Sequence, residues 1–171
     1  MNQLHTALAN DTPFRTINML IHHSVNININ ARNEDGDTPL HVALKNNASY
    51  KTIKSLIQNR ANVNAKDTEG EDTPLHLVVI AQIHPSKKTK LINLLINNGA
   101  KLNLKNINGD TPYDMAKEEY DEGYEQGYII FTENTMNLLN PKYQQNPKSK
   151  GAGTRKIKKQ TRNTIKKRKP I

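Results

Sequence analysis

The chain has 171 residues, about one domain's length, with 35% hydrophobic and 24% charged residues and a mean hydropathy of −0.79, lean in apolar side chains for a globule of that size. Its charge of +9 is unevenly spread: residues 1–140 hold 13 basic and 16 acidic side chains, whereas residues 141–171 hold 12 basic and none acidic, so a mildly acidic body precedes a strongly basic tail. Zero cysteines exclude a disulfide framework, a Cys-ligated zinc and a cysteine nucleophile, and the longest apolar runs, Leu77–Ala81 and Tyr128–Phe131, are far short of the roughly 20 residues of a membrane span.

In chain order, the first expected helix pair runs through Leu4-His5-Thr6-Ala7 and Ile17–Ile21. The design then returns with a sharper start, Thr38-Pro39-Leu40-His41, followed by Ile53–Ile57; again as Thr73-Pro74-Leu75-His76, followed by Leu91–Leu95; and in altered form as Thr111-Pro112-Tyr113-Asp114, followed by Thr135–Leu139. The spacings between these starts are 35 and 38 residues, within the range of helical repeat arrays. Threonine is a good N-cap, and proline at the first helical position gives up an N–H that has no partner there, so Thr-Pro starts a helix. Leu40 and Ala43, then Ile53, Leu56 and Ile57, recur at helical spacing on two short segments, which predicts an antiparallel helix pair. Gly36, Gly70 and Gly109 precede the motifs and suit a turn residue with positive φ. After Pro141 the apolar periodicity ends, and residues 141–171 are expected to be a disordered basic tail.

These residues closely resemble the ankyrin repeat, whose pattern Gly-x-Thr-Pro-Leu-His-x-Ala, then Val-x-x-Leu-Leu-x-x-Gly-Ala-x-Val-Asn, is matched by Gly36–Ala43 and by Leu91–Asn103. The resemblance implies an all-α solenoid of four repeats, about 1–35, 36–70, 71–108 and 109–140. His5, His41 and His76 would then hydrogen-bond between neighbouring repeats. The first repeat lacks Thr-Pro and the fourth replaces Leu-His with Tyr113-Asp114, as terminal caps would. Arg60 stands where the family usually has glycine, so it carries a left-handed penalty of about 1 kcal/mol or forces another exit. Insertions are expected near Val25–Ile27, at Ile83–Lys88 and across the Tyr- and acid-rich Glu118–Gln126.

No catalytic constellation accompanies the repeats, and the expectation is a non-enzymatic protein with no cofactor, bound metal or small-molecule substrate. Adjacent helical residues point about 100° apart, so His22-His23 is not a natural metal pair, and His84 lies in a loop before Pro85. The turns Asn33–Gly36 and Asn106–Gly109 have a faint likeness to a calcium loop, but the twelfth ligand position falls on Val42 or Met115 instead of Glu.

The function is therefore placed in exposed residues. By the resemblance, a protein partner would bind the concave surface through the turn tips Glu34, Asp35, Asp37, Glu69, Glu71, Asp72, Asn108 and Asp110 and the inner-helix positions Val42, Leu77 and Met115. The tail, with Arg155, Lys156, Lys158, Lys159 and the cluster Lys166, Lys167, Arg168 and Lys169, reads as a targeting segment of nuclear-localisation type. The competing reading makes the tail a nonspecific DNA or RNA contact and the repeats an adaptor. No aromatic lies beyond Tyr143 to stack on bases. A monomer is expected. No charged-then-apolar leader is seen, which predicts a non-secreted protein in the cytoplasm or nucleus, without membrane insertion. The abundance of Asn, Ile and Lys, as in Asn26-Ile27-Asn28-Ile29-Asn30, is what an AT-rich genome produces. It is similar in style to small ankyrin proteins of large DNA viruses and intracellular bacteria, which adds a host cell to the expected locations.

Overall fold

A computed structural model describes residues 3–23, 27–126 and 131–144. Four helix pairs stack in one direction. The inner helices are α1 (Gln3–Ala9), α3 (Pro39–Lys45), α5 (Pro74–Ile80) and α7 (Pro112–Gln126); the outer helices are α2 (Phe14–His23), α4 (Tyr50–Gln58), α6 (Pro85–Asn97) and α8 (Glu133–Leu139). Each helix packs on its pair-mate and on its counterpart in the next repeat, and a short α9 (Pro141–Gln144) packs on α8. The described residues contain no strand. The basic tail was expected to begin unfolded at Pro141, but its first four residues form α9; the rest of it, residues 145–171, lies outside the described residues. The core is continuous through the stack: Leu4 and Ile17, then Leu40, Ile53 and Leu56, then Leu75, Ile92 and Leu95, then Phe131 and Leu139 are all buried. Burying only one stripe per helix against two neighbours is how a chain with few apolar residues still folds.

The threonine caps take a reciprocal form. The Thr38 N–H donates to His41 Nδ1 at 3.1 Å, Thr38 Oγ1 lies 2.8 Å from the same nitrogen, and His41 Nε2 reaches the Ala65 carbonyl at 3.1 Å. Thr73 and His76 repeat this, with Nε2 on the Asp110 carbonyl, and His5 Nε2 meets the Asp37 carbonyl. The accepting Nδ1 fixes the neutral tautomer with Nε2–H as donor to the next repeat. In the fourth repeat Asp114 Oδ2 accepts from Thr111 N–H and Oγ1 at 3.0 and 2.6 Å. Aspartate closes the cap and has no second nitrogen to extend onward, which suits a terminal position.

The turns also differ in one respect from expectation. Gly36 and Gly109 have φ of 73° and 87°, but Gly70 does not take positive φ; Glu71 does, at 53°. The third tip carries one residue more than the others. Its closing bond, from Asp67 N–H to the Asp72 carbonyl, spans five residues, whereas Asn33 to Asp37 and Asn106 to Asp110 span four. The extra residue moves the left-handed position onto glutamate. Arg60 takes φ of 68° in the same role as Gly99 at 87°, so it carries the penalty and does not change the exit: Ala61 and Ala100 N–H donate back to the Leu56 and Leu95 carbonyls alike.

The insertions are absorbed as helix. Pro85–Lys88 form an added first turn of α6, capped by His84, whose Nδ1 accepts from Ser86 N–H, and Glu118–Gln126 lengthen α7. Most of the Val25–Ile27 insertion lies outside the described residues, and so does Tyr128.

Candidate functional site

The tip row is held by polar residues that bridge successive repeats. Asn33 Oδ1 accepts from Asp37 N–H, Asp67 Oδ1 from Gly70 and Asp72 N–H, and Asn106 Oδ1 from Asn108 and Asp110 N–H. Arg32 Nη1 donates to the Gly36 and Lys66 carbonyls, joining the second tip to the third. Behind the tips, Asn30 donates to the Arg60 carbonyl and accepts from Asn62 N–H, and Asn64 does the same with Gly99 and Lys101. Asn28 accepts from Asn30 N–H. The Asn-Ile run read as a mark of codon usage therefore contributes two structural asparagines.

Lys45 is the electrostatic centre of the concave side. Its Nζ lies 2.9 Å from Asp37, 3.2 Å from Asp67 and 3.9 Å from Glu69. Burial works to lower the Lys45 pKa, but the two aspartates outweigh it and raise it. Burial likewise works to raise that of Asp67, and the Asp72 and Gly70 N–H groups together with Lys45 bring it below the ordinary carboxylate value.

This arrangement corrects three of the expected contact residues. Asp37 is buried and committed to Lys45. Val42 and Leu77, each 6% exposed, face the neighbouring helices and join the core, because the position after the histidine points along the stack and not out of it. Met115 is half-buried, with its sulfur 3.6 Å from Asn106 Nδ2. Of the tip residues, Glu34, Asp35, Glu69, Glu71 and Asn108 are exposed, whereas Asp72 and Asp110 are half-buried. Asp72 accepts from Asn106 Nδ2, and Glu71 pairs with Lys66 at 2.7 Å.

Five exposed apolar residues went unread in the sequence: Ile107 at the fourth tip, 65% exposed, Ile80 at the end of α5, 41% exposed, and Phe14, Met19 and Tyr50 on the outer helices α2 and α4. Ile107 is fixed in place by its N–H, which donates to the Gly70 carbonyl of the preceding tip. A Gly-containing turn with an isoleucine at its apex was the available signal. The tail residues Arg155, Lys156, Lys158, Lys159 and Lys166–Lys169 lie outside the described residues.

Among the described residues no three His, Asp or Glu side chains converge as metal ligands, and no helix is long and apolar enough to cross a membrane. A pocket of about 220 Å³ at the turns joining the first two helix pairs includes Asp11, Phe14, Ser49 and Thr52, and Asp11 is its one titratable lining residue.

Comparison with known proteins agrees with this architecture. A model described as ankyrin repeats in many copies matches residues 20–78, and the single ankyrin repeat model matches residues 71–107. None of the curated proteins matches the chain. Among solved structures, the ankyrin repeat domain of Bcl-3, described as a unique member of the IkappaB protein family, is similar with a TM-score of 0.57 and 26% identity, over 80% of this chain and 50% of that one. The chain thus spans about half the length of that structure. The two matches together run through more than half of the sequence, from residue 20 to residue 107, and the chain belongs to the ankyrin repeat family.

Proposed function

We propose that the chain is a protein–protein interaction scaffold that holds a basic, partly apolar partner along its tip row. The observation that carries this reading is Ile107, an apolar side chain held out at a tip whose neighbours offer the exposed carboxylates Glu69 and Glu71. An apolar anchor with charged surroundings is the form in which a few residues supply most of an interface's binding energy. Glu34, Asp35 and Asn108 extend the row, and Ile80 extends the concave side beyond Lys45. Ankyrin repeats are typically non-enzymatic interaction modules, and no catalytic residue is assigned.

The test is affinity capture with the full chain, with Ile107→Ala, and with Glu34→Gln/Asp35→Asn/Glu69→Gln. Partners lost from both variants, and retained when Lys166–Arg168 and Lys169 are replaced by alanine, support the tip row. Partners indifferent to both variants overturn it. For the tail we propose targeting: a fluorescent fusion of the full chain concentrates in nuclei, and the four-alanine variant spreads through the cell. Equal distribution of the two would remove that role.

A further inference from the structure

Three of the four outer helices, α2, α4 and α6, carry charge in the opposite sense to the tips. Helices α2, α4 and α6 contain no acidic residue at all, although acidic side chains are the favoured occupants of a helix's first turn. A surface selected only for solubility mixes both signs. Here most of the body's anions lie on the tips and α7, with Asp11 in the turn before α2 and Glu133 on α8 as the exceptions, and the cations on α2, α4 and the exposed Lys90 of α6 form no ion pair among the described residues. Among the described residues the ion pairs belong to Lys45, Lys66 and Lys88; Arg15, Lys51, Lys54 and Lys90 form none.

The placement of these cations follows the repeat. Arg15 and Lys51 each stand four residues after a left-handed residue, Asp11 and Asn47, and Lys51 and Lys90 each stand nine residues before one, Arg60 and Gly99. The three therefore occupy one register on three stacked helices, and all three are exposed. Asn134 of α8, also exposed, lies one residue before Thr135, whose hydroxyl meets Thr89 of α6 just before Lys90. One turn further along, Lys54 adds a cation beside the half-buried amides of Asn18 and Asn93. With packed helices about 8–10 Å apart, the rungs recur at about three nucleotides of rise along a strand.

We propose that this ladder, Arg15–Lys51–Lys90, is a docking surface for the sugar–phosphate backbone of nucleic acid. Lysine, arginine and amide side chains are the groups that position proteins on phosphates without reading sequence. Exposed apolar side chains stand beside two of the rungs, Phe14 and Met19 by Arg15 and Tyr50 by Lys51, but none of the exposed large apolar residues is on α6 beside Lys90, so the apolar surface does not run the length of the ladder as a face that inserts between lipids would. The ladder also leads toward α8 and α9, from which the chain continues into residues 145–171 with their 11 further cations and no anion. The surface is separate from the tip row, so the loss of either leaves the other testable.

The experiment titrates fluorescein-labelled 20-mer DNA, single-stranded and duplex, with the full-length chain over a range of salt. The comparison is with Arg15→Gln/Lys51→Gln/Lys90→Gln and with a charge-matched control, Lys101→Gln/Lys105→Gln/Lys117→Gln, which removes three exposed cations outside the outer helices. The expected result is at least about a tenfold loss of duplex affinity at 0.1 M salt for the ladder variant, and a salt-dependence slope smaller by about 2–3, with the control close to the parent. Unchanged binding by the ladder variant, or equal loss in the control, overturns the proposal. So does binding to phosphatidylserine vesicles that depends on the ladder while DNA binding does not. Because all six positions are exposed, far-UV circular dichroism of the variants should match the parent, and the DNA titration reads the surface alone.

Discussion

The junction between the second and third repeats and the junction between the third and fourth are built differently. The former joins a motif contact, His41 on the Ala65 carbonyl, to tip contacts, Lys45 between Asp37 and Asp67 and Arg32 across two tips. The latter keeps His76 on the Asp110 carbonyl but adds a device of its own. Lys88, from the added turn of α6, is 1% exposed; it donates to the Val79 carbonyl, lies 3.7 Å from Glu119 and sits 4.4 Å from the centroid of the Phe131 ring. Burial pushes the Lys88 ammonium below its ordinary pKa, and Glu119 offsets part of that. A regular repeat passes its interface forward unchanged. Where the spacing lengthens, one buried cation and one aromatic fill the gap.

The largest expected effect breaks the second of these junctions. Phe131→Ala removes a fully buried ring and the face that holds the Lys88 ammonium, and should cost about 3–5 kcal/mol. Because solenoid stability is the sum of repeats and their neighbours' interfaces, the loss should be local. Hydrogen exchange would show α7 and α8 opening before α3–α5. Simultaneous loss of protection in all helices would mean that the two junctions form one cooperative unit.

At the other junction, Lys45→Met leaves Asp37 and Asp67, whose side chains are only 7% and 3% exposed, without their cation. The lysine itself is 31% exposed, so the cost falls between that of a surface pair and that of a buried one, about 1–3 kcal/mol by urea unfolding. Asp37→Asn combined with Lys45→Met should cost less than the two separately, since the pair couples. Strict additivity would place the stabilisation elsewhere.

A pH titration acts on both junctions together. Burial lowers the pKa values of His41 and His76, so the folded state resists protonation that the unfolded chain accepts near 6.5. The stability these groups contribute is complete above that pH and is lost as pH falls toward their folded values. The slope is at most about 1.4 kcal/mol per pH unit for each histidine. Asp114, held low mainly by the Thr111 hydroxyl and N–H, loses its contribution only under far more acid conditions. A melting temperature that is flat from pH 7 to 5 would show that the two imidazoles are as protonated folded as unfolded.

The regular junction was the readable one. Thr-Pro starts, the buried leucines and the histidines that reach the next repeat all stand at fixed offsets, and a period of about 35 residues exposes them. What was lost depends on which way a face points. Val42 and Leu77 are at helical positions consistent with either a concave surface or a repeat interface, and only the stack decides between them. Glu71 replaced Gly70 because an inserted residue moves a backbone angle without changing composition. Lys88 gave no apolar signal, so its burial was invisible. The Arg15–Lys51–Lys90 ladder sits in unlike local sequences and aligns only when the left-handed residues are known.

The smallest effect tests the regularity itself. Arg60 and Gly99 occupy one structural position, yet an L side chain at φ of 68° meets its own backbone. Arg60→Gly should therefore gain up to about 1 kcal/mol, reduced by the greater freedom of glycine in the unfolded chain. Gly99→Ala should lose a similar amount, and strain alone would be its cause, since no atom lies within 4 Å of the added Cβ. Opposite shifts of similar size in urea midpoints would establish that the two repeats share one backbone requirement and differ only in how well the residue meets it. If Arg60→Gly destabilises the fold, the arginine side chain contributes more through its surroundings than its backbone strain costs, and the equivalence of the two positions ends at the main chain.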